Sequence, residues 1–297
     1  MRPGIRCQPG ARRVGFRVAV IGAGRMGQGI ALALSRSGAE VTLLGRTPTP
    51  VPPPLSVRVE DWAGACRVAD LVLIATPDAA IDAVAERLRA AGCIAARQTV
   101  LHLSGLLDRA ALAALAATGA GLGSFHPLQT VADPESAGAR FRGAFAGIEG
   151  DAAALAAGER LAGLLGMTPV RIPAGAKPAY HAGATIVANY SVALMGMAVR
   201  LAEQAGVPPK MAARLYLPLL HGTADNLDQL TPAAALTGAI RRGDAGTVAA
   251  HLSALSPRDR VLYAAIGREA LALARSAGLA DGPAAEVERL LEEAATG

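Results

Sequence analysis

Residues 17–27 read Arg-Val-Ala-Val-Ile-Gly-Ala-Gly-Arg-Met-Gly, and this stretch decides the fold. The apolar run 17–21 is strand-like and stops at a glycine. Gly22, Gly24 and Gly27 follow in GxGxxG spacing, and the pattern turns helical from about Arg25. A strand, a glycine turn and a helix in that order open a βαβ unit, the context in which this spacing is informative. There Gly22 permits the tight turn, Gly24 admits a pyrophosphate close to the backbone, and Gly27 lets helix and strand pack closely. The free N–H groups and positive dipole end of the helix favour phosphate. Gly22, Ala23, Gly24, Arg25, Met26 and Gly27 are therefore candidate ligands of a dinucleotide.

Working outward, EVTLL (40–44) is a second strand ending in Leu43-Leu44-Gly45-Arg46-Thr47. An NAD site usually places an acid here for the ribose hydroxyls. None is present, while Arg46 can pair with a 2′-phosphate and Thr47 can offer a hydroxyl. NADP is thus favoured over NAD. After a proline-rich loop, further strands are read at 56–60 (weak), 70–77, 99–105, 121–127, 144–150 and 168–172, with helices at 78–92, 106–119 and 151–165. Such alternation implies a doubly wound parallel sheet with helices on both faces. Ala75, Thr76 and Pro77 end the fourth strand, where they border the cofactor riboses, and Asp78 reads as a helix cap. From Pro178 onward the pattern is helical. The expected organisation is a basic, disordered leader at 1–16, an α/β nucleotide-binding domain at 17–175 and a mostly α-helical substrate and dimerisation domain at 176–297.

Composition narrows the class. Of 297 residues, 52% are apolar and 18% charged, enough to bury a large core and exclude wholesale disorder. The net charge of +5 equals the five arginines of the first 17 residues, so the body is neutral. It offers no basic nucleic-acid face. Cys7, Cys66 and Cys93 form neither a disulfide framework nor a zinc motif, which fits a reducing, cytoplasmic setting. No His/Asp/Glu cluster has metal-ligand spacing, so no metal is expected. Residues 182–199 carry no charge, the lower limit for a membrane span. Thr185, Asn189, Tyr190 and Ser191 interrupt them, and a buried helix is the favoured reading.

Three segments project where a substrate would sit: His102-Leu-Ser104-Gly105, Phe125-His126-Pro-Leu-Gln-Thr130 and Lys177-Pro-Ala-Tyr180-His181. Only Lys177 and Lys210 among 29 basic residues are lysines. A lysine kept at Lys177 suits proton delivery, because its pKa shifts readily on burial. His181, Thr185 and Asn189 lie four apart and share a helix stripe. The candidate catalytic set is Lys177, His181, Ser104, His126 and Asn189.

In this order, VAVIGAGRMG, LVLIATPD, HLSG, SFHPLQT, AKPAYHAGATIVANY and LTGAIRRGDAGTVAAHL resemble bacterial Rossmann-like proteins whose C-terminal half is a domain of unknown function. The resemblance covers about residues 17–280. In domain plan it extends to 6-phosphogluconate dehydrogenase, β-hydroxyacid dehydrogenases, pyrroline-5-carboxylate reductase and coenzyme F420-dependent NADP reductase. It implies a Rossmann domain followed by a helical domain that often dimerises. By the β-hydroxyacid group's pattern, it further implies an acid at Lys177 and substrate contact at Ser104 and Gly105. The chain departs from that pattern: His181, not asparagine, stands four residues after Lys177, leaving the proton donor open between Lys177 and His181.

The expectation is an NADP-dependent oxidoreductase moving hydride between NADPH and a C=O or C=N carbon of a small polar substrate. It would act as a homodimer through its C-terminal helices, with no nucleic acid or membrane partner. The alternative is a non-catalytic NADP-binding sensor or complex subunit.

Overall fold

A computed structural model describes residues 15–296. The expected basic leader, 1–16, lies outside the described residues except for Gly15 and Phe16. The described chain forms two compact units that divide after Asn189.

The first unit is built on one eight-stranded sheet. Its strands are β1 (Arg17–Ile21), β2 (Glu40–Leu44), β3 (Val57–Arg58), β4 (Leu71–Ile74), β5 (Thr99–His102), β6 (Gly121–Pro127), β7 (Phe145–Gly150) and β8 (Thr168–Arg171). They lie in the order β3-β2-β1-β4-β5-β6-β7-β8. All neighbours pair in parallel except β6 and β7. The helices are α1 (Arg25–Arg36), α2 (Trp62–Val68), α3 (Ile81–Ala90), α4 (Ala137–Phe141) and α5 (Ala152–Leu165).

The strands read as continuous apolar runs because both faces are covered. Val18 and Val20 pack on the side of α1, α4 and α5, with Leu71, Leu73, Phe125 and Ile148. Ala19 and Ile21 point the other way, into the layer of α2 and α3 with Val72, Ile74 and Val100. Strand periodicity of two thus divides one run of residues between two cores. The reversal at β7 refines the expected parallel sheet. The connection from β6 to β7 holds a 3₁₀ turn at Pro134–Ser136 and the short α4 and returns the chain antiparallel, whereas α5 carries it across so that β8 is parallel to β7. Residues 109–118, expected as a helix, form successive 3₁₀ turns. Three residues per turn align Leu112 and Leu115, the two residues this segment buries.

A continuous helical stretch, Lys177–Gln204, starts in the first unit as α6 (Lys177–Thr185), passes a π turn at Ile186–Tyr190, and ends in the second unit as α7 (Ser191–Gln204). The second unit continues with α8 (Pro209–Leu215), α9 (Leu217–Gln229), α10 (Pro232–Ala235), α11 (Gly238–Arg242), α12 (Ala245–Ala254), α13 (Pro257–Ser276) and α14 (Asp281–Thr296). Val248, Leu252, Ala264, Leu271, Val287 and Leu291 form its core. The buried helix expected at 182–199 is corrected here. Only 6% of the most apolar window of Lys177–Gln204 is buried within the described chain. By length and composition alone this helix could cross a membrane.

Candidate active site

The carboxyl ends of β1, β4, β5 and β6 share one edge of the sheet, the edge where ligands bind in open α/β sheets. A groove of about 470 Å3 runs there, lined by Gly22, Gly24, Arg46, Thr47, Thr76 and Arg87 among others. Gly22 holds φ at +118°, and a Cβ there would sit 2.6 Å from the carbonyl oxygen of Ala75. A Cβ on Gly27 would strike the carbonyl oxygen of Gly22, whereas Gly24 faces open space. Gln28, which the sequence reading missed, braces the turn by donating its amide to the carbonyl of Ala23 at 2.7 Å; a buried polar residue inside α1 was its signal. No side chain caps the N-terminus of α1.

The groove's chemistry suits a phosphorylated dinucleotide. No carboxylate lines it, while Arg46 and Arg87 do. Arg87 lies 4.1 Å over the Trp62 ring, and Trp62 donates its indole N–H to Gly45, fixing the end of β2. The Thr76 hydroxyl is buried with no hydrogen-bond partner among the described residues, although buried polar groups are normally paired. Arg46, Thr47, Ala75, Thr76 and Pro77 all line the groove. Arg25 and Met26 sit on the first turn of α1 beside it.

The proposed catalytic residues fall into two layers. The inner layer is closed. Lys177 is 2% exposed, and its ammonium donates to the Ser104 carbonyl at 2.6 Å and the Ser124 hydroxyl at 2.7 Å. Burial lowers its pKa to about 8, against the raising effect of Glu149, Asp108 and Asp78. Glu149, itself pushed up by burial, accepts from the Arg109 N–H at 2.9 Å. The Ser104 hydroxyl donates to Asp78 at 2.7 Å and accepts from the N–H groups of Leu106 and Leu107. Lys177 and Ser104 therefore brace the ends of β5 and β6. His102 belongs to the same layer. Its Nδ1 accepts from the Ser104 N–H, so Nε2 carries the proton donated to the Asp108 carbonyl at 3.0 Å. Burial holds its pKa at about 4.

The outer layer opens into a chamber of about 600 Å3, between the end of β6 and the face of α6 with its π turn. His126, His181 and Asn189 line it, joined by Tyr180, Thr185 and Gln129. His126 Nδ1 lies 2.9 Å from the Tyr180 hydroxyl, and its ring stands edge-on to both Tyr180 and His181. Burial lifts the phenol to about 12, opposed by a hydrogen bond from the Gly147 backbone. The phenol keeps its proton, and its hydroxyl shares with Nδ1 a hydrogen bond whose direction follows the imidazole tautomer. Burial, then the charges of Lys177 and His181, lower His126 to about 4. The ring is neutral near pH 7. Nδ1 of His181 is buried without a hydrogen-bond partner among the described residues. Gly105 makes this cluster possible: a Cβ there would strike His181 and come within 2.8 Å of His126 Nε2. Tyr180 had no role in the sequence reading; only the pairing of β6 with β7 puts Gly147 beneath it.

Comparisons with known proteins agree with this architecture. Residues 17–98 match the family model described as NADP oxidoreductase coenzyme F420-dependent, and residues 144–270 match the Domain of unknown function (DUF2520). No curated protein matches the chain. A Bacteroides fragilis structure assigned as an NADP oxidoreductase is 21% identical at a TM-score of 0.66, covering 89% of this chain and 98% of its own. Plasmodium falciparum pyrroline carboxylate reductase with NADP bound is 11% identical at a TM-score of 0.58, covering 94% and 97%. A reductive aminase from Aspergillus terreus in complex with NADPH and ethyl-5-oxohexanoate is 20% identical at a TM-score of 0.56, covering 95% and 94%. The chain thus joins a segment similar to the coenzyme F420-dependent NADP oxidoreductases to a DUF2520 segment, on the Rossmann-type fold of these reductases.

Proposed function

We propose that the protein is an NADP-dependent oxidoreductase reducing a C=O or C=N carbon of a small molecule. The observation that carries this reading is one sheet edge holding both a glycine cradle without carboxylates, flanked by Arg46 and Arg87, and a chamber whose imidazole is held by a tyrosine hydroxyl. The names of the matched N-terminal family and of the bound neighbours support it. When bound, NADPH supplies a hydride; the electrons of the C=O or C=N bond pass to oxygen or nitrogen, which then takes a proton. His126 polarises that atom, Tyr180 holds the imidazole ring, and His181 and Asn189 orient the substrate. Lys177 and Ser104 keep the ends of β5 and β6 in place. Residues 17–175 would hold the cofactor and 176–297 the substrate and dimer contacts, in the cytoplasm.

The test is a thermal shift with NADPH, NADP, NADH and NAD in parallel. At 100 times its dissociation constant a ligand adds about 2.7 kcal/mol of stability. A shift confined to the phosphorylated pair is expected; a shift with NADH and NAD alone would reject the role given to Arg46, and no shift at all would reject the function.

A further inference from the structure

We propose that the chamber beside the cofactor groove selects a carbonyl or imine compound with an apolar body and no acidic group, and turns away oxo acids and phosphorylated substrates. This rests on the oxidoreductase reading and names its substrate class.

The chamber is large enough for a small organic molecule. Among the described residues its lining contains no Lys, Arg, Asp or Glu. Leu128, Ala184, Val187 and Ala188 supply apolar wall, and the polar groups there are His, Tyr, Gln, Thr and Asn side chains. His126 adds no cation near neutral pH, because burial disfavours its protonated form. The chain does place guanidinium groups at the nucleotide groove, where Arg46 and Arg87 stand. The absence of Lys and Arg from the chamber lining is therefore local.

The layer behind the floor carries charge of both signs. Lys177 is its cation, already bonded to Ser104 and Ser124. Three carboxylates act on that ammonium: Glu149, Asp108 and Asp78. On His126, Lys177 and His181 act more strongly than Asp78 does. A carboxylate or phosphate entering the chamber would lose hydration and find no Lys or Arg in the lining to pair with. A neutral ketone, or an imine that becomes protonated, meets none of these costs.

Matched pairs decide the matter: cyclohexanone against 4-oxocyclohexanecarboxylate, and 2-methyl-1-pyrroline against 1-pyrroline-5-carboxylate. Each is titrated into the full chain with and without NADPH, by saturation-transfer NMR. The expected result is at least tenfold tighter binding of the uncharged member in both pairs. In Thr185→Lys, which puts an ammonium in the wall, the preference should reverse. Equal or tighter binding of the acidic member by the unmodified chain would overturn the inference. So would no binding by any member while NADPH still shifts the melting temperature, an outcome that leaves the cofactor reading intact. Selective binding of the uncharged members without any NADPH shift would instead sustain the chamber and reject the oxidoreductase reading.

Discussion

At the scale of single residues, charge and burial set three expectations. Arg46 makes no ion pair among the described residues, so its guanidinium is available to a 2′-phosphate. Arg46→Ala should weaken NADPH about tenfold by losing one charge-assisted contact and leave NADH unchanged, as read by fluorescence titration. Lys177→Met keeps the aliphatic stem but leaves the Ser104 carbonyl, the Ser124 hydroxyl and Glu149 without their cation. A loss of roughly 2–4 kcal/mol in urea unfolding is expected; an unchanged midpoint would show that the ammonium is not a brace. His102 and His126 titrate near 4 in the fold against an ordinary 6.5. Above 6.5 neither costs anything. Between 6.5 and 4 the unfolded chain binds protons that the fold does not, so stability should fall over that window. Lys177 works in a separate window: with a folded pKa of about 8 against 10.5, it should let stability rise from pH 8 toward 10.5. Melting curves from pH 4 to 10 check both.

At the scale of elements, the site depends on glycines where two elements touch. Gly22 joins β1 to α1 with a positive φ and the Ala75 carbonyl against its Cα. Gly22→Ala should cost at least about 1–3 kcal/mol in backbone strain and remove the NADPH-dependent thermal shift. Gly147 on β7 lies under the Tyr180 ring, where a Cβ would come 2.5 Å from the hydroxyl oxygen. Gly147→Ala should displace Tyr180, release the His126 ring and lower kcat with little change in NADPH affinity, measured in a steady-state assay. The π turn at 186–190 has its own consequence. One extra residue per turn shifts Asn189 relative to Thr185, yet His181, Thr185 and Asn189 all still face the chamber. Such turns recur at functional sites.

At the scale of the whole molecule, the exposed apolar surface is the main unsolved term. Ile186 and Val187 in the first unit, and Val192, Leu219, Leu227 and Ile266 in the second, are all exposed. That much apolar surface is unusual on a monomer. A homodimer through these helices is the cover we expect, and sedimentation equilibrium should show a dimer at micromolar concentration. Val192→Glu, at a side chain 72% exposed in the single chain, should give a folded monomer. A monomeric unmodified chain in detergent-free buffer would remove the dimer from the proposal.

How much of this was legible in the sequence differs between cradle and chamber. The strand run, the glycine spacing, the missing acid after β2 and the change of pattern near residue 177 are local signals. Each depends on neighbours along the chain, and together they determined the α/β class and the nucleotide groove. The tertiary structure decided the rest. It turned β7 against β6, which no spacing announces, and so brought Gly147, Tyr180 and His126 into contact across 54 residues of chain. It closed Lys177 and Ser104 into a buried layer, although their residue types suggested direct work on a substrate. It also left the uncharged helix in the open, because an apolar sequence states only that cover is needed. Local patterning fixes elements and their faces; which polar groups meet, and which are sealed away, follows from packing between distant segments.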